Sequence, residues 1–201
     1  MARLLFTSKY LNSFADPVSS SQVSALEKLI GKPVQFMQQT HSNHLCVTTA
    51  KSSAIEDTDS LITENTSLAL AVRIADCIPL LLYSSNMVAA VHVGRKGLLN
   101  QVAARTVQKM YELGATQIKG VAGPHICGNC YEVGKDMANE IVKSHPETFS
   151  KEGHINLFNG LQAQISNVEL INLNLCTVEN ERFFSYRANK DSGRQLGVIS
   201  L

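Results

Sequence analysis

The sequence of 201 residues has few charged side chains and no surplus of either sign. Charged residues make up 17% of the chain, below the usual quarter, with 18 Lys and Arg against 17 Asp and Glu. A net charge of +1 argues against broad electrostatic binding to nucleic acid or to an anionic membrane, because both require an extended basic surface. We therefore expect neither a nucleic-acid polymer nor a membrane as a partner, although a total charge near zero is compatible with a local basic pocket.

Long apolar runs and a secretion signal are also missing. No segment approaches the ~20 apolar residues that span a bilayer, because Arg73, Asp76 and Pro79 interrupt the richest stretch. The first residues contain no apolar region followed by a small-residue cleavage site. Five cysteines cannot all pair. Without a secretion signal we expect a reducing, cytoplasmic location, where cysteines serve as core thiols, metal ligands or catalysts.

The apolar fraction of 44% and the chain length predict a single domain with a real core, over residues 1–201. Apolar patterning predicts strands over 4–8, 34–38, 45–48, 68–74, 79–83, 87–93, 118–122, 168–173, 183–187 and 197–201. It predicts helices over 21–30, 98–113, 136–145 and 157–167. Hairpins are too frequent for a doubly wound parallel sheet. We therefore expect an α/β (α+β) fold with mixed sheets.

Three side chains of metal-ligand type lie at the ends of predicted strands, namely His41, Cys77 and His92. Their separations fit no local zinc-finger spacing, so the fold would have to assemble any site built from them. Two imidazoles and one thiolate suit Zn²⁺, and three protein ligands leave an open position, as in catalytic zinc sites. The alternative is a buried thiol at Cys77 and histidines that are each held by one hydrogen bond.

The remaining cysteines are ambiguous. Cys127 and Cys130 form a C-x-x-C motif. Such a motif has three interpretations: a redox-active pair, half of a zinc site, or a turn that carries two packed thiols. No second C-x-x-C exists in the sequence. Cys46 and Cys176 lack the spacing to complete one, so we predict that both are structural thiols.

Several charged residues are candidates for an anion site. The segment 94–97 (GRKG) joins a strand to a helix, where backbone N–H groups and two cations can bind an anion. Arg73, Arg187 and Arg194 could add positive charge to such a site, although an arginine is more often a surface or structural residue. Asp76, next to the candidate thiolate ligand, could orient a ligand, carry a proton, or hydrogen-bond its own turn.

Seven sequence blocks occur in the order found in one known family, from about residue 34 to the C-terminus. They are 39–42 (QTHS), 59–63 (DSLIT), 75–79 (ADCIP), 90–97 (AVHVGRKG), 123–134 (GPHI and CYEVG), 176–187 (CT and RFFSYR) and 193–199 (GRQLGVI). On these blocks the chain resembles the YfiH-like family, also called the multicopper polyphenol oxidoreductase or laccase-domain family. Members of that family are now largely assigned as purine nucleoside phosphorylases.

The resemblance implies a layered fold similar to the catalytic domain of cytotoxic necrotising factor, with zinc on His41, Cys77 and His92. It implies phosphorolysis of adenosine, inosine, guanosine and methylthioadenosine, with adenosine deamination alongside, and leaves monomer and homodimer open. Asp76, Cys77 and His92 are then the candidate catalytic residues. The candidate substrate contacts are Gln39, Arg73, Lys96 and Arg187.

Two reactions suit such a site. Zinc lowers the pKa of its water ligand to about 7, which suits hydrolytic attack on C6 of adenine. Phosphate held beside the metal and the cations could instead displace the base from ribose.

The alternatives are a copper-dependent polyphenol oxidase, a peptidoglycan-precursor editing factor, or a structural zinc with Cys127 or Cys130 as fourth ligand. A four-copper oxidase needs about ten histidines, and this chain has six, but one His₂Cys site could still bind Cu²⁺.

The chain departs from the family pattern in two places. After the second histidine the family usually reads Gly-Trp-Arg-Gly, where this chain reads GRKG over 94–97. Lys96 keeps a positive charge there but lacks the planar fork of arginine. The N-terminal ~20 residues are atypical, because the glycine-rich loop of the family is absent or shortened. We expect both departures to bear on substrate choice.

Overall fold

The computed structural model describes residues 1–11, 13–14, 18–190 and 193–201, which form two packed β-sheets with helices on their outer faces. The strands are β1 Arg3–Phe6, β2 Val34–Gln35, β3 Leu45–Val47, β4 Ser60–Thr63, β5 Ala69–Ile74, β6 Ile78–Tyr83, β7 Val88–Val93, β8 Lys119–Ala122, β9 Phe149–Lys151, β10 His154–Ile155, β11 Glu169–Asn172 and β12 Gln195–Ser200. The helices are α1 Ser20–Ile30, α2 Arg95–Leu99, α3 Val102–Glu112, α4 Lys135–Ser144, α5 Leu157–Gln164 and α6 Tyr186–Asn189, with short 3-10 helices at Lys9–Leu11 and Pro146–Thr148. None of the helices in the described ranges has the length and apolar character needed to cross a bilayer.

Both main sheets mix parallel and antiparallel pairs. The four-stranded sheet has the order β1-β12-β5-β2, in which β12 is antiparallel to both neighbours and β2 is parallel to β5. The six-stranded sheet has the order β11-β8-β6-β7-β4-β3, with the β6–β7 hairpin at its centre and parallel pairs at both edges. β9 and β10 form a small separate sheet. The predicted α/β fold with mixed sheets is therefore confirmed. That residues 1–201 form a single domain stays a prediction.

The central strands are buried on both faces. Along β6, Leu80 packs toward the helices of the six-stranded sheet, whereas Leu81 packs toward the other sheet. Along β5, Ala71 packs toward α1, whereas Val72 packs into the layer between the sheets. Successive side chains of a strand point to opposite faces, so a continuous apolar run fills two cores at once. The layers are therefore α1, the four-stranded sheet, the six-stranded sheet, and helices α2 to α5.

The predicted hairpin over 79–93 is confirmed by the antiparallel register of β6 and β7. The single helix predicted over 98–113 is wrong, because Gln101 adopts a left-handed backbone with φ 60° and separates α2 from α3. β4 is a strand that the apolar pattern does not predict. The atypical N-terminal segment is described in part: β1 pairs with β12, whereas residues 12 and 15–17 lie outside the described residues.

The strand predicted over 183–187 is also wrong. The hydroxyl oxygen of Ser185 accepts the N–H of Ala188 at 3.0 Å and so caps the short helix α6. The backbone of Phe184 bonds to a side chain instead of a neighbouring strand: its N–H donates to Gln195 Oε1 at 2.7 Å, and its C=O accepts from Gln195 Nε2 at 3.1 Å. A capping serine and a glutamine side chain thus satisfy the backbone groups that a strand would pair.

A three-residue crossing, 75–77, connects β5 in the four-stranded sheet to β6 in the six-stranded sheet. We call the place where this crossing joins the two sheets the seam. Cys77 lies in the crossing, and the hairpin register places His92 opposite Pro79, close to the same end of β6. His41 lies in the loop between β2 and β3. The seam is therefore where residues far apart in sequence can meet.

Candidate metal centre and active-site cavity

His41, Cys77 and His92 come together at the seam. One ligand atom from each lies within 4.8 Å of the other two. The Sγ of Cys77 is 3.8 Å from Nε2 of His41, and the two imidazole rings meet edge to face with centroids 4.7 Å apart. In a tetrahedral zinc site the sulfur and nitrogen ligands are separated by roughly 3.6 Å. The three donor atoms therefore suit a single ion.

A buried carboxylate orients the two histidines. Asp59 Oδ1 accepts hydrogen bonds from His92 Nδ1 at 2.6 Å and from the backbone N–H of His41 at 3.1 Å. Asp59 Oδ2 accepts the N–H of Thr40 at 3.1 Å and both the N–H and the hydroxyl of Ser42, at 2.7 and 2.8 Å. The bond to Nδ1 leaves Nε2 of His92 as the ring nitrogen that could bind a metal ion. Carboxylates commonly orient metal-binding histidines in this way.

Charges within the cluster shift three pKa values. Burial acts to raise the pKa of Cys77, but the neighbouring His92 and His41 outweigh it and lower that pKa to about 6. Burial acts to lower the pKa of His92, but Cys77 and Asp59 outweigh it and raise that pKa to about 9. Burial acts to raise the pKa of Asp59, but His92 and Ser42 lower it to about 2. The neighbouring imidazoles thus favour the thiolate form of Cys77, the form that binds metals.

A glycine gives the ligands the space that they occupy. A Cβ atom at Gly94 would lie 2.9 Å from Cys77 Sγ and 2.9 Å from His41 Cδ2. Gly94 also precedes α2, which has only five residues. Within the GRKG segment, Gly94 therefore allows the side chains of Cys77 and His41 to pack close to the backbone. Lys96 is exposed and is not among the residues that line the cavity described next, so the structure does not bring this predicted substrate contact to the site.

The cluster forms part of the wall of a cavity of about 760 Å³, a volume typical of small-molecule sites. Arg73, Arg187, Lys190 and Arg194 line this cavity, and Asp76 is the one acidic side chain among the described lining residues. A surplus of positive charge in a concave site attracts anions. The cavity therefore combines a metal-ligand set with an environment suited to an anionic substrate.

Asp76 holds together two segments of the cavity wall. Its Oδ1 accepts the hydroxyl of Thr177 at 2.7 Å, and its Oδ2 accepts the backbone N–H of Arg187 at 2.7 Å. Its φ of 92° lies in the left-handed region, which side chains rarely adopt, so the surrounding contacts must hold it there. The guanidinium of Arg187 lies 5.5 Å from the centroid of the Tyr131 ring. Asp76 therefore fixes the segment that presents Arg187.

Gln39 and Arg73 are held to each other through the backbone of Arg73. The side chain of Gln39 donates to the C=O of Arg73 at 2.7 Å and accepts its N–H at 2.9 Å. One guanidinium nitrogen of Arg73 donates to the C=O of Met37 at 3.0 Å, and the residue is buried. Gln39 and Arg73 both line the cavity. Gln39 therefore positions the arginine as well as facing the ligand space.

The structure places at the candidate site two residues that the sequence analysis does not single out, Asp59 and Tyr131. Asp59 precedes the buried strand β4, and its position in the DSLIT block is the signal that points to it. Tyr131 lies in the CYEVG block and lines the cavity. Burial and the charge of Cys77 raise the pKa of Tyr131, whereas Arg95 and Arg187 act to lower it. Arg95, and not Lys96, is thus the cation of the GRKG segment that approaches the cavity wall.

A second cluster of ligand-type residues lies apart from the first. It consists of Cys127, Cys130, Cys176 and Glu179, whose ligand atoms lie within 4.8 Å of one another. The two clusters share no residue, so the structure does not place Cys127 or Cys130 as a fourth ligand beside His41. Cys176 lies far from the C-x-x-C pair in sequence, so the spacing rules for metal sites do not predict that it meets the pair.

Solved structures show the same fold. The protein is similar to the Bacillus licheniformis hypothetical protein YfiH, with a TM-score of 0.85 and 22% identity, over 100% of this chain and 92% of that chain. It is similar to the Neisseria meningitidis protein NMB0706, with a TM-score of 0.83 and 24% identity, over 100% and 94% of the two chains. The expected YfiH-like fold is therefore confirmed.

Sequence relatives carry a functional name. A Corynebacterium glutamicum protein named purine nucleoside phosphorylase is 38% identical over 182 residues, 84% of this chain and 74% of the relative. A Streptomyces coelicolor protein of the same name is 34% identical over 181 residues, 84% of this chain and 75% of the relative. The family model described as multi-copper polyphenol oxidoreductase laccase matches residues 17–201. The chain belongs to this laccase-like family, as its sequence blocks predict.

Proposed function

We propose that the protein is a zinc-dependent purine nucleoside phosphorylase acting on adenosine, inosine, guanosine and methylthioadenosine, with adenosine deaminase activity in the same cavity. We place this activity in the cytoplasm, in a monomer or homodimer. The observation that carries the proposal is the presence of a His₂Cys ligand set and four cationic side chains around one cavity of about 760 Å³. The names of the relatives support the phosphorylase activity.

His41, Cys77 and His92 would hold the zinc. Two imidazoles and a thiolate are zinc ligands, and a set of three leaves one position open for a water or a substrate atom. Asp59 fixes the orientation of His92, and Gly94 leaves the space that the ligand side chains need. When bound there, zinc supplies a Lewis acid that polarises a substrate oxygen or lowers the pKa of water.

The cationic side chains would bind the phosphate. In phosphorolysis a phosphate oxygen forms a bond to C1′ of ribose, the bond from C1′ to N9 breaks, and the purine leaves with that electron pair and takes up a proton. Arg73 and Arg187 offer planar guanidinium groups, which match phosphate oxygens in pairs. Lys190 and Arg194 add charge along the same wall. These groups place the nucleophile and offset the negative charge of the reacting phosphate.

Aromatic and apolar side chains would receive the nucleoside. Tyr131, Tyr186, Ile126 and Leu157 line the cavity together with the cations. A purine is flat and largely apolar, so aromatic rings offer it a stacking surface. Asp76 would act here as a positioning residue and not as the proton carrier, because both of its oxygens already accept hydrogen bonds from the chain.

The test is phosphate-dependent release of adenine or hypoxanthine by protein of defined zinc content. His41→Ala is the control, because it removes one ligand from an exposed position and leaves the core intact. We expect release by the wild type to require both zinc and phosphate, with adenosine converted to inosine when phosphate is omitted. Turnover no higher than that of the variant would refute the phosphorylase, and an absence of inosine would refute the deaminase alone.

Copper-dependent polyphenol oxidation is a second candidate, favoured by the family's description and by a His₂Cys set that suits copper. The six histidines fall short of the about ten that a four-copper oxidase needs. Parallel assays of zinc-loaded and copper-loaded protein separate the two candidates. Phenol oxidation by the copper form without phosphorolysis by the zinc form would favour the oxidase.

A further inference from the structure

The second cluster is assembled from two loops that are far apart in sequence. Cys127 and Cys130 lie in the loop after β8, and Cys176 and Glu179 lie in the loop after β11. Each loop contributes its two residues at the same spacing, with two residues between them. In the C-x-x-C turn the N–H of Cys130 donates to the C=O of Cys127 at 3.1 Å. Two short loops thus present four donor atoms to one point.

The distances within this cluster fit a tetrahedral ion. Glu179 Oε1 lies 3.5 Å from Cys127 Sγ and 3.3 Å from Cys130 Sγ. Tetrahedral zinc bonds of about 2.3 Å to sulfur and about 2.1 Å to oxygen separate these two atoms by roughly 3.6 Å, so an ion needs shifts of only a few tenths of an ångström. All three cysteines are free of disulfides. The backbone N–H of Cys127 donates to Cys176 Sγ at 3.4 Å, so a hydrogen bond from the opposite loop also holds the sulfur of Cys176 in place.

We propose that Cys127, Cys130, Cys176 and Glu179 form a second divalent-metal site, for zinc, that is structural. Three thiolates and one carboxylate are soft and borderline donors that zinc takes in tetrahedral sites. Four protein ligands fill the coordination shell, so this site has no open position for a substrate. It differs in this respect from the three-ligand cluster of His41.

The bound metal ties together two segments of the cavity wall. Ile126 and Tyr131 flank the C-x-x-C motif and line the cavity. Thr177 follows Cys176 and donates its hydroxyl to Asp76. A metal that joins these loops therefore fixes the aromatic ring and the Asp76 partner from outside the cavity. This metal supports the cavity wall whichever reaction takes place in the cavity.

The loops also contact each other directly. The N–H of His125 donates to the C=O of Leu175 at 3.0 Å, and the N–H of Thr177 donates to the C=O of His125 at 3.1 Å. These backbone bonds hold the loops in register next to the thiols. The ligands of the metal site are thus brought together before any ion binds, which reduces the ordering that binding requires.

The experiment is a metal count on the purified full-length protein, together with cobalt substitution. We expect about two zinc ions per chain, one per cluster, falling to about one in Cys130→Ser and to about one in Cys77→Ser. Cys46→Ser is the matched control, because Cys46 is half-buried and belongs to neither cluster, and it should keep both ions. In Cys77→Ser the cobalt form should still show an intense thiolate-to-cobalt absorption band, because the thiolates of the second cluster remain.

The cobalt spectrum of Cys77→Ser keeps the test decisive if Cys130→Ser does not fold. One zinc ion per chain in the wild type, unchanged in Cys130→Ser, would overturn the proposal. So would a thiolate-to-cobalt band that vanishes in Cys77→Ser. A Cys127–Cys130 disulfide found by mass spectrometry in protein purified under reducing conditions, without a second metal, would overturn it in favour of a redox pair.

Discussion

Replacing Asp59 by asparagine should cost stability in a pH-dependent manner. The carboxylate is 0% exposed and accepts hydrogen bonds from His92, His41, Thr40 and Ser42. Asparagine has nearly the same size, but its amide NH₂ would face donors where the carboxylate has an acceptor. Each buried donor left without a partner costs about 1 to 3 kcal/mol. We therefore expect the variant to be less stable than the wild type at neutral pH.

The pH dependence follows from the shifted pKa of Asp59. Burial acts to raise this pKa, but His92 and Ser42 lower it from 3.8 to about 2 in the folded protein. Because the folded-state pKa is the lower one, the carboxylate stabilises the fold above pH ~4, and the contribution is lost as the pH falls toward ~2. The full contribution is roughly 2 kcal/mol, of which about half is lost by pH ~3. The variant has no carboxyl to titrate there.

The assay is urea unfolding of chelator-treated protein, followed by circular dichroism at pH 7 and pH 3. The stability difference between the wild type and Asp59→Asn should be about 1 kcal/mol smaller at pH 3 than at pH 7. Asp57→Asn is the matched control, because Asp57 is an exposed carboxylate in the same loop that pairs with His44 at 2.8 Å. It should show little change at either pH. A difference for Asp59→Asn that stays constant from pH 7 to pH 3 would refute the reasoning.

Three further substitutions test the metal centre and the cavity. Gly94→Ala places a Cβ 2.9 Å from Cys77 Sγ and should weaken zinc binding by roughly 10-fold or more in chelator competition; unchanged affinity would contradict this. Asp76→Asn should lower kcat/KM without changing the pH profile, whereas loss of one limb of the profile would show proton transfer. Arg187→Ala should raise the KM for phosphate roughly 10-fold, while the exposed Lys96→Ala should not; equal effects would argue against phosphate binding in the cavity.

Local patterns predict the parts of the fold that depend on local interactions. The β6–β7 hairpin follows from two apolar runs around a short polar turn, and α1 from a serine cap and a following Gly31. The break at Gln101 is different, because both halves of the predicted helix keep the same apolar spacing across it. The segment 183–187 has the composition of a strand, but its backbone partner is the side chain of Gln195, which lies beyond it in sequence.

The candidate site shows the same limit. Residue types single out His41, Cys77 and His92, and the resemblance of the sequence blocks strengthens that choice, but only the tertiary fold shows that they meet. The DSLIT block draws attention to Asp59, but the residues around it do not reveal that its carboxylate accepts hydrogen bonds from both the 40–42 loop and His92. No spacing rule relates Cys176 to the C-x-x-C motif. The two come together because β11, which precedes Cys176, pairs in parallel with β8, which precedes the motif. Pairing between strands that are distant in sequence therefore determines which side chains meet, and sequence spacing alone does not predict this.

A metal ion bound at the seam between the two sheets would oppose the separation of those sheets. The ligands come from the loop after β2, the crossing from β5 to β6, and β7, so they are supplied by both sheets. An ion that binds only when these segments are in place adds its binding free energy to the cost of separating the sheets. Amide hydrogen exchange in β5 and β7 should therefore slow together when the ion binds, as one cooperative unit. Exchange of β10, which lies in a different sheet, should be much less affected.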